Sequence, residues 1–287
     1  MALPFVISDA AMLALQAGVV AAPRRPPEPA ILRRVSGPVW AIIPIASIIG
    51  VVYAIRYASA TATGLTWLAL IAVPLLAAVA LGWAMRGGRP WLMPLAAGLF
   101  ALAWASRTTL WGEGAAALLS ALSCVTLGWL LAAVTPPAWL KLGILAMAAA
   151  DVWLVLTDLL QAPNATLVSA APLPGSGLPQ LQSELFGSVS MGYGDLFVAG
   201  LLGAVLAREG RSRGWSALMT LVIAGLFDLL FLVLAELPAT VPVALALIAG
   251  EAWRLGRRRW GAAPVGAGVS EALRPSRPAA ATPRRAR

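Results

Sequence analysis

The stretch MGYGDLFVAG, Met191 to Gly200, places a carboxylate, Asp195, directly after Gly194 and three positions after Gly192, inside a run of apolar and small residues. The run extends on both sides, and residues 186 to 207 read as one continuous apolar helix, long enough to cross about 30 Å of hydrocarbon at roughly 1.5 Å per residue. Working outward, the same pattern recurs along nearly the whole chain. With 287 residues, 60% hydrophobic and 11% charged, and a mean hydropathy of +0.84, the surface of a soluble domain would lack the polar groups to face water.

The spacing predicts an all-α polytopic membrane protein with nine transmembrane helices, over residues 3–22, 37–55, 65–85, 91–106, 114–134, 138–160, 186–207, 215–236 and 237–253. Only helices or closed barrels satisfy backbone groups in lipid, and these runs are too long for barrel strands. The apolar N-terminal run carries Asp9 and lacks a basic start, so it reads as a retained helix rather than a signal peptide. Its arginines and single lysine fall four in 23–36, two in 86–90, one at Lys141, three in 208–213 and nine from Arg254 onward, all on one side of a nine-span topology. The other side has only Arg56 and Arg107. Basic residues stay cytoplasmic, which predicts an N-terminus outside and a C-terminus inside. Residues 1–253 form the membrane domain; residues 254–287, with nine arginines against Glu271, read as a disordered basic cytoplasmic tail that meets anionic lipid rather than nucleic acid.

Histidine is absent and Cys124 is the single cysteine, which excludes Ser/His and Cys/His hydrolases, HExxH metalloproteases, histidine-ligated metals and an intrachain disulfide. Acid/base chemistry falls to carboxylates, with no metal or cofactor required. Asp9, Asp151, Asp195 and Asp228 lie within expected spans, where a charge costs several kcal/mol unless protonated or paired. Asp151 stands nine residues before position 160, and Asp195 nine after position 186, on consecutive helices. Both therefore fall about 14 Å below the same face, where they can meet. Two such carboxyls share a proton, so one can take a proton from water while the other donates to a peptide carbonyl. Gly192 and Gly194 either pack a neighbouring helix closely or let an extended substrate approach. Asp228 lies at similar depth: it satisfies a polar neighbour, modulates the pair or serves another mechanism. Asp158, near the end of its span, reads as a solvated helix end.

GYGD at Gly192 to Asp195 resembles the GxGD motif of the presenilin and signal peptide peptidase family of intramembrane aspartyl proteases, and DVWLVL from Asp151 resembles its first aspartate motif. The family's Pro-Ala-Leu motif is approximated by Pro238, Ala239 and Thr240; Ala150 stands where the family usually has Tyr, and Thr240 where it has Leu. The resemblance implies catalytic roles for Asp151 and Asp195, on the helices over 138–160 and 186–207, and substrate positioning by Gly192, Gly194, Pro238, Ala239 and Thr240. From the residues alone, Pro238 equally serves to start a helix. The orientation resembles signal peptide peptidases and implies transmembrane substrates with N-terminus inside, such as remnant signal peptides. Residues 161–185, rich in Pro, Gly and Ser, are either a flexible loop or a gate or edge strand for unwound substrate.

Three alternatives stand beside this reading. Prepilin peptidases share the GxGD pattern but usually carry Lys where Phe197 stands. A proton-coupled transporter would use Asp151, Asp195 and Asp228 as a relay. A catalytically silent relative would keep the architecture alone. The Ala- and Arg-rich composition points to a bacterial inner membrane.

Overall fold

The computed structural model describes residues 5–27, 37–42, 46, 50, 59–157, 166, 178–181, 183–232 and 237–261. They contain eight α-helices and one β-hairpin, in the order α1 (Phe5–Ala21), α2 (Ser59–Val79), α3 (Pro94–Ala105), α4 (Leu110–Val134), α5 (Pro137–Leu156), β1 (Ser183–Phe186), β2 (Val189–Gly192), α6 (Tyr193–Arg208), α7 (Arg213–Phe227) and α8 (Thr240–Gly261). Helix α2 runs on through a π turn, Ala80–Ala84, and α7 through a 3-10 turn, Asp228–Leu232. Most of the span expected over 37–55, Asp158 and most of the 161–185 segment lie outside the described residues; of the first, residues 38–41 form a 3-10 turn.

Four of these helical stretches, Ala62–Ala84, Leu110–Val134, Pro137–Leu156 and Arg213–Leu230, are long and apolar enough to cross a membrane. Phe5–Ala21 and Pro90–Ala105 are apolar but shorter. Leu68, Ile71 and Leu75 of α2, Leu142 and Leu156 of α5, and Leu218, Val222 and Leu226 of α7 are exposed, as side chains that face lipid can be. The chain is a predominantly helical membrane protein.

Two boundaries differ from the sequence reading. Residues 186–192, expected to open a helix, belong to the hairpin, in which Ser183 pairs with Gly192 and Phe186 with Val189. Gly187 turns the chain at φ 63°, a left-handed conformation glycine adopts without steric cost. Asp195 is consequently the third residue of its helix, and a depth counted along a helix from residue 186 does not apply. The last helix continues to Gly261, so residues 254–261 are helical rather than part of a disordered tail.

The chain divides into two units after Ala249. In the second unit, Arg254 pairs with Glu251 at 2.9 Å and the Arg257 guanidinium stacks over Trp253.

In the first unit α6 is the central helix: Leu196 and every residue from Val198 to Ala207 are buried. It packs on α4, α1 and α5. Lipid gives apolar helices little reason to associate, so close backbone contact through small residues supplies the attraction. A Cβ built on Gly200 would lie 2.4 Å from the Cys124 carbonyl oxygen, and one on Gly128 would lie 2.5 Å from the Gly200 carbonyl. Gly203 approaches the Val20 carbonyl of α1 equally closely, with its Cβ at 2.3 Å.

The described loops of the first unit gather at two ends. At one, the Arg24 N–H donates to the Ala84 carbonyl at 2.7 Å and the Arg86 N–H to the Ala22 carbonyl at 2.9 Å. There too the Arg213 guanidinium bonds the Pro23 carbonyl. Lys141 pairs with Glu209 at 2.5 Å, and Arg208 caps α4 by donating to the Ala132 and Thr135 carbonyls. At the other, where α1 begins, the Ser188 N–H of the hairpin turn donates to the Ser8 hydroxyl at 3.3 Å.

Candidate functional site

Gly192 stands in extended conformation, φ −74° and ψ 144°, as the residue before α6, and its N–H donates to Asp195 Oδ2 at 3.1 Å. A carboxylate three residues inside a helix that reaches back to the cap N–H satisfies a donor the helix cannot, and faces the positive end of the helix dipole. The motif therefore starts the helix at Tyr193 and fixes the Asp195 carboxyl in one act. A Cβ on Gly192 would sit 3.1 Å from Asp195 Oδ2, whereas one on Gly194 would meet no described atom within 4 Å. Gly194 is not a packing residue among the described residues; Gly128, Gly200 and Gly203 fill that part.

Tyr193 orients the same turn. Its hydroxyl lies 2.7 Å from Ser123 Oγ, and Ser123 donates its own proton to the Ser120 carbonyl at 2.7 Å. The tyrosine is therefore the donor between the two hydroxyls. Upstream, the hairpin turn is held by Glu113 of α4, whose Oε2 accepts from the Gly187 N–H at 2.7 Å.

Asp151 lies in α5, which packs on α6. Its Oδ2 accepts from the Thr240 hydroxyl at 2.6 Å and from the Thr240 N–H at 3.4 Å. Thr240 opens α8 after Pro238 and Ala239, and Val243, Ala244, Ala246 and Leu247 anchor its following turns in the core. The Gln16 amide of α1 donates to the Ala239 carbonyl at 3.0 Å. Ser8 of α1 touches the hairpin turn, and Gln16 lies eight residues further along. At roughly 1.5 Å per residue, the start of α8 sits about 12 Å below that turn, inside the bundle.

The first aspartate motif and the Pro-Ala-Thr segment are thus in direct contact, and the GYGD turn starts the helix against which α5 packs. Asp228, at the end of α7, shares a side-chain hydrogen bond with Asp9 of α1, while its Oδ2 is buried with no hydrogen-bond partner among the described residues. Among the described residues no three His, Cys, Asp or Glu side chains are grouped to hold a metal ion.

Sequence reading missed Gln16, Glu113 and Ser123. Gln16 carried a usable signal, a full amide in the middle of an apolar span, where an unpaired polar group is costly. Its partner is 223 residues away and leaves no local trace.

No protein-family model, no curated protein and no solved structure matches this chain.

Proposed function

We propose that this chain is an intramembrane aspartyl endopeptidase that cleaves transmembrane helices or remnant signal peptides. The observation that carries the reading is that each motif aspartate is fixed by a neighbouring motif residue, Asp195 by Gly192 and Asp151 by Thr240, on two helices that pack together.

In the proposed reaction one carboxyl of the pair is ionised and the other protonated. The ionised one takes a proton from water as the water oxygen bonds to the peptide carbonyl carbon. The protonated one gives its proton to the carbonyl oxygen, forming a neutral tetrahedral diol. Collapse breaks the C–N bond as the carboxyl that took the water's proton gives it to the amine nitrogen and the other carboxyl takes one diol hydroxyl proton, so the carboxyls end as they began. A helical peptide bond is shielded, so substrate must unwind before attack. Among the described residues no atom would lie within 4 Å of a Cβ on Gly194, which suits an extended backbone next to Asp195, and the hairpin leading into α6 offers strand edges for it to pair with. Pro238 and Ala239, at the start of α8, border the same contact with Asp151 and keep their proposed role in positioning substrate.

Nine spans, N-terminus outside and C-terminus inside, in a bacterial inner membrane, complete the proposal. The meeting of the basic loops at one end of the bundle supports placing that end at the cytoplasm. This orientation suits substrates with N-terminus inside, and the basic C-terminal segment suits anionic lipid.

A peptide carrying a hydroxyl-bearing tetrahedral isostere in place of the scissile amide tests the chemistry. It should bind wild type at least about 100-fold tighter than the matching amide peptide, as transition-state mimics do. Equal binding of the two would refute the mechanism.

One observation favours a second reading, proton-coupled transport: the hydrogen-bonded Asp9 and Asp228 carboxyls form a further acidic pair between α1 and α7. Proton-driven solute uptake that vanishes in Asp228→Asn, in a protein that cleaves no peptide, would select it. If the protease reading holds, Asp228 is a modulator and the same variant retains cleavage.

A further inference from the structure

The position where the resembled family carries leucine is occupied here by a buried threonine, 5% exposed, whose hydroxyl donates to Asp151 Oδ2 at 2.6 Å. A buried hydroxyl without a partner is costly, so this contact is what lets a polar side chain occupy the site. The distance is at the short end for an O–H donor and matches those to ionised carboxylates.

Thr240 is itself held on both sides. Ala239 before it is pinned through its carbonyl to Gln16, and the Val241 N–H after it donates back to the Pro238 carbonyl at 3.1 Å. As a β-branched residue it has few side-chain rotamers available. As the first residue of α8 its N–H has no intrahelical acceptor, and that N–H also points at Asp151 Oδ2, at 3.4 Å. One residue thus supplies two donors to one oxygen, so Asp151 caps α8 from a different helix. Neither donor touches Oδ1.

We propose that Thr240 is a positioning residue for Asp151: hydroxyl and N–H together lock Oδ2, fix the rotation of the carboxyl and reserve Oδ1 for the water and the shared proton. This places its main effect on the carboxyl rather than on substrate backbone. The catalytic consequence rests on the protease reading above.

The test compares Thr240→Val, which keeps shape and N–H but removes the hydroxyl, with Thr240→Ser, which restores it. The substrate is a fluorogenic single-span peptide with a leucine-rich core, presented in detergent to the full-length protein. Thr240→Val should lower kcat about 10- to 100-fold, the worth of one hydrogen bond to a charged group. KM should stay within about twofold, and Thr240→Ser should recover most of the rate. Unchanged kcat in Thr240→Val, or a raised KM at unchanged kcat, would overturn the assignment, the second by returning Thr240 to a substrate contact. Thermal unfolding of Thr240→Val, Asp151→Asn and the double variant reads the contact without activity: non-additive losses support it and additive losses overturn it. Failure of the protease reading looks different, since wild type then cleaves nothing and the unfolding cycle decides alone whether Thr240 holds Asp151.

Discussion

Replacing Gly200 by alanine would strike the contact on which the central helix depends. The new Cβ would lie 2.4 Å from the Cys124 carbonyl oxygen and 2.9 Å from its carbon, both backbone atoms that no rotamer change can move aside. Ordinary contact needs roughly 3.5 Å, so α4 and α6 must separate by about 1 Å. A gap of that size forfeits a quarter to a half of each affected dispersion contact, and overpacking of this kind costs about 1–3 kcal/mol. Alanine's better helix propensity returns up to about 1 kcal/mol. A net loss on the order of 1–2 kcal/mol should appear as a lower midpoint in detergent thermal unfolding. Because α6 also carries Asp195, a shift of about 1 Å should reduce cleavage up to about 100-fold. Gly194→Ala is the paired control for stability, since its Cβ meets no described atom and the propensity gain stands alone. A Gly200→Ala variant as stable as wild type would refute the claim that glycine contact, rather than side-chain packing, holds this interface.

Other parts of the site respond in separable ways. Glu113→Gln removes the charge from the 2.7 Å contact to the Gly187 N–H, and hydrogen exchange at the hairpin turn should speed up about tenfold, as a weakened charge-assisted bond implies; unchanged exchange would show that the strands alone hold the turn. Tyr193→Phe strips the donor that Ser123 accepts; it should cost about 1 kcal/mol in unfolding, and full stability would mean that another donor replaces it. For topology, a C-terminal reporter enzyme active only in the cytoplasm should be active, and an inactive one would reverse the proposed orientation.

Much of the helical framework was legible because hydropathy over some twenty residues reports burial in lipid directly, and α1, α2, α4 and α5 fall close to their expected places. The start of α6 was not. Residues 186–207 are a nearly unbroken apolar and small run, in which a short buried strand cannot be told from a helix by periodicity. The local signals were present, however: Gly187 and Ser188 form a two-residue turn between strands, and Gly192 with Asp195 has the spacing of a helix start. Reading these first would have moved Asp195 to the mouth of its helix.

The aspartates stood out as candidates because a carboxylate within an apolar span is rare and expensive. What held them was less so. Thr240 looked like a departure from the Pro-Ala-Leu pattern, and only the fold shows its hydroxyl against Asp151, 89 residues away in sequence. Gln16 on Ala239 is a pairing of the same kind. Such contacts join residues that sit far apart on the chain, and no spacing rule records them. The last helix ran on past the apolar span because its arginine-rich turns keep helical propensity after hydropathy falls, with Glu251 and Arg254 paired three residues apart on one face.

The most direct test is cleavage of a single-span substrate, inserted with its N-terminus inside, by purified wild type, Asp151→Asn and Asp195→Asn in the same detergent. Asparagine keeps the size of each side chain but can neither take the water's proton nor share one with its partner. Cleavage by wild type, with no product from either folded variant, is the predicted result. Cleavage that persists in both variants, or no cleavage by a folded wild type, would contradict the paired-aspartate mechanism.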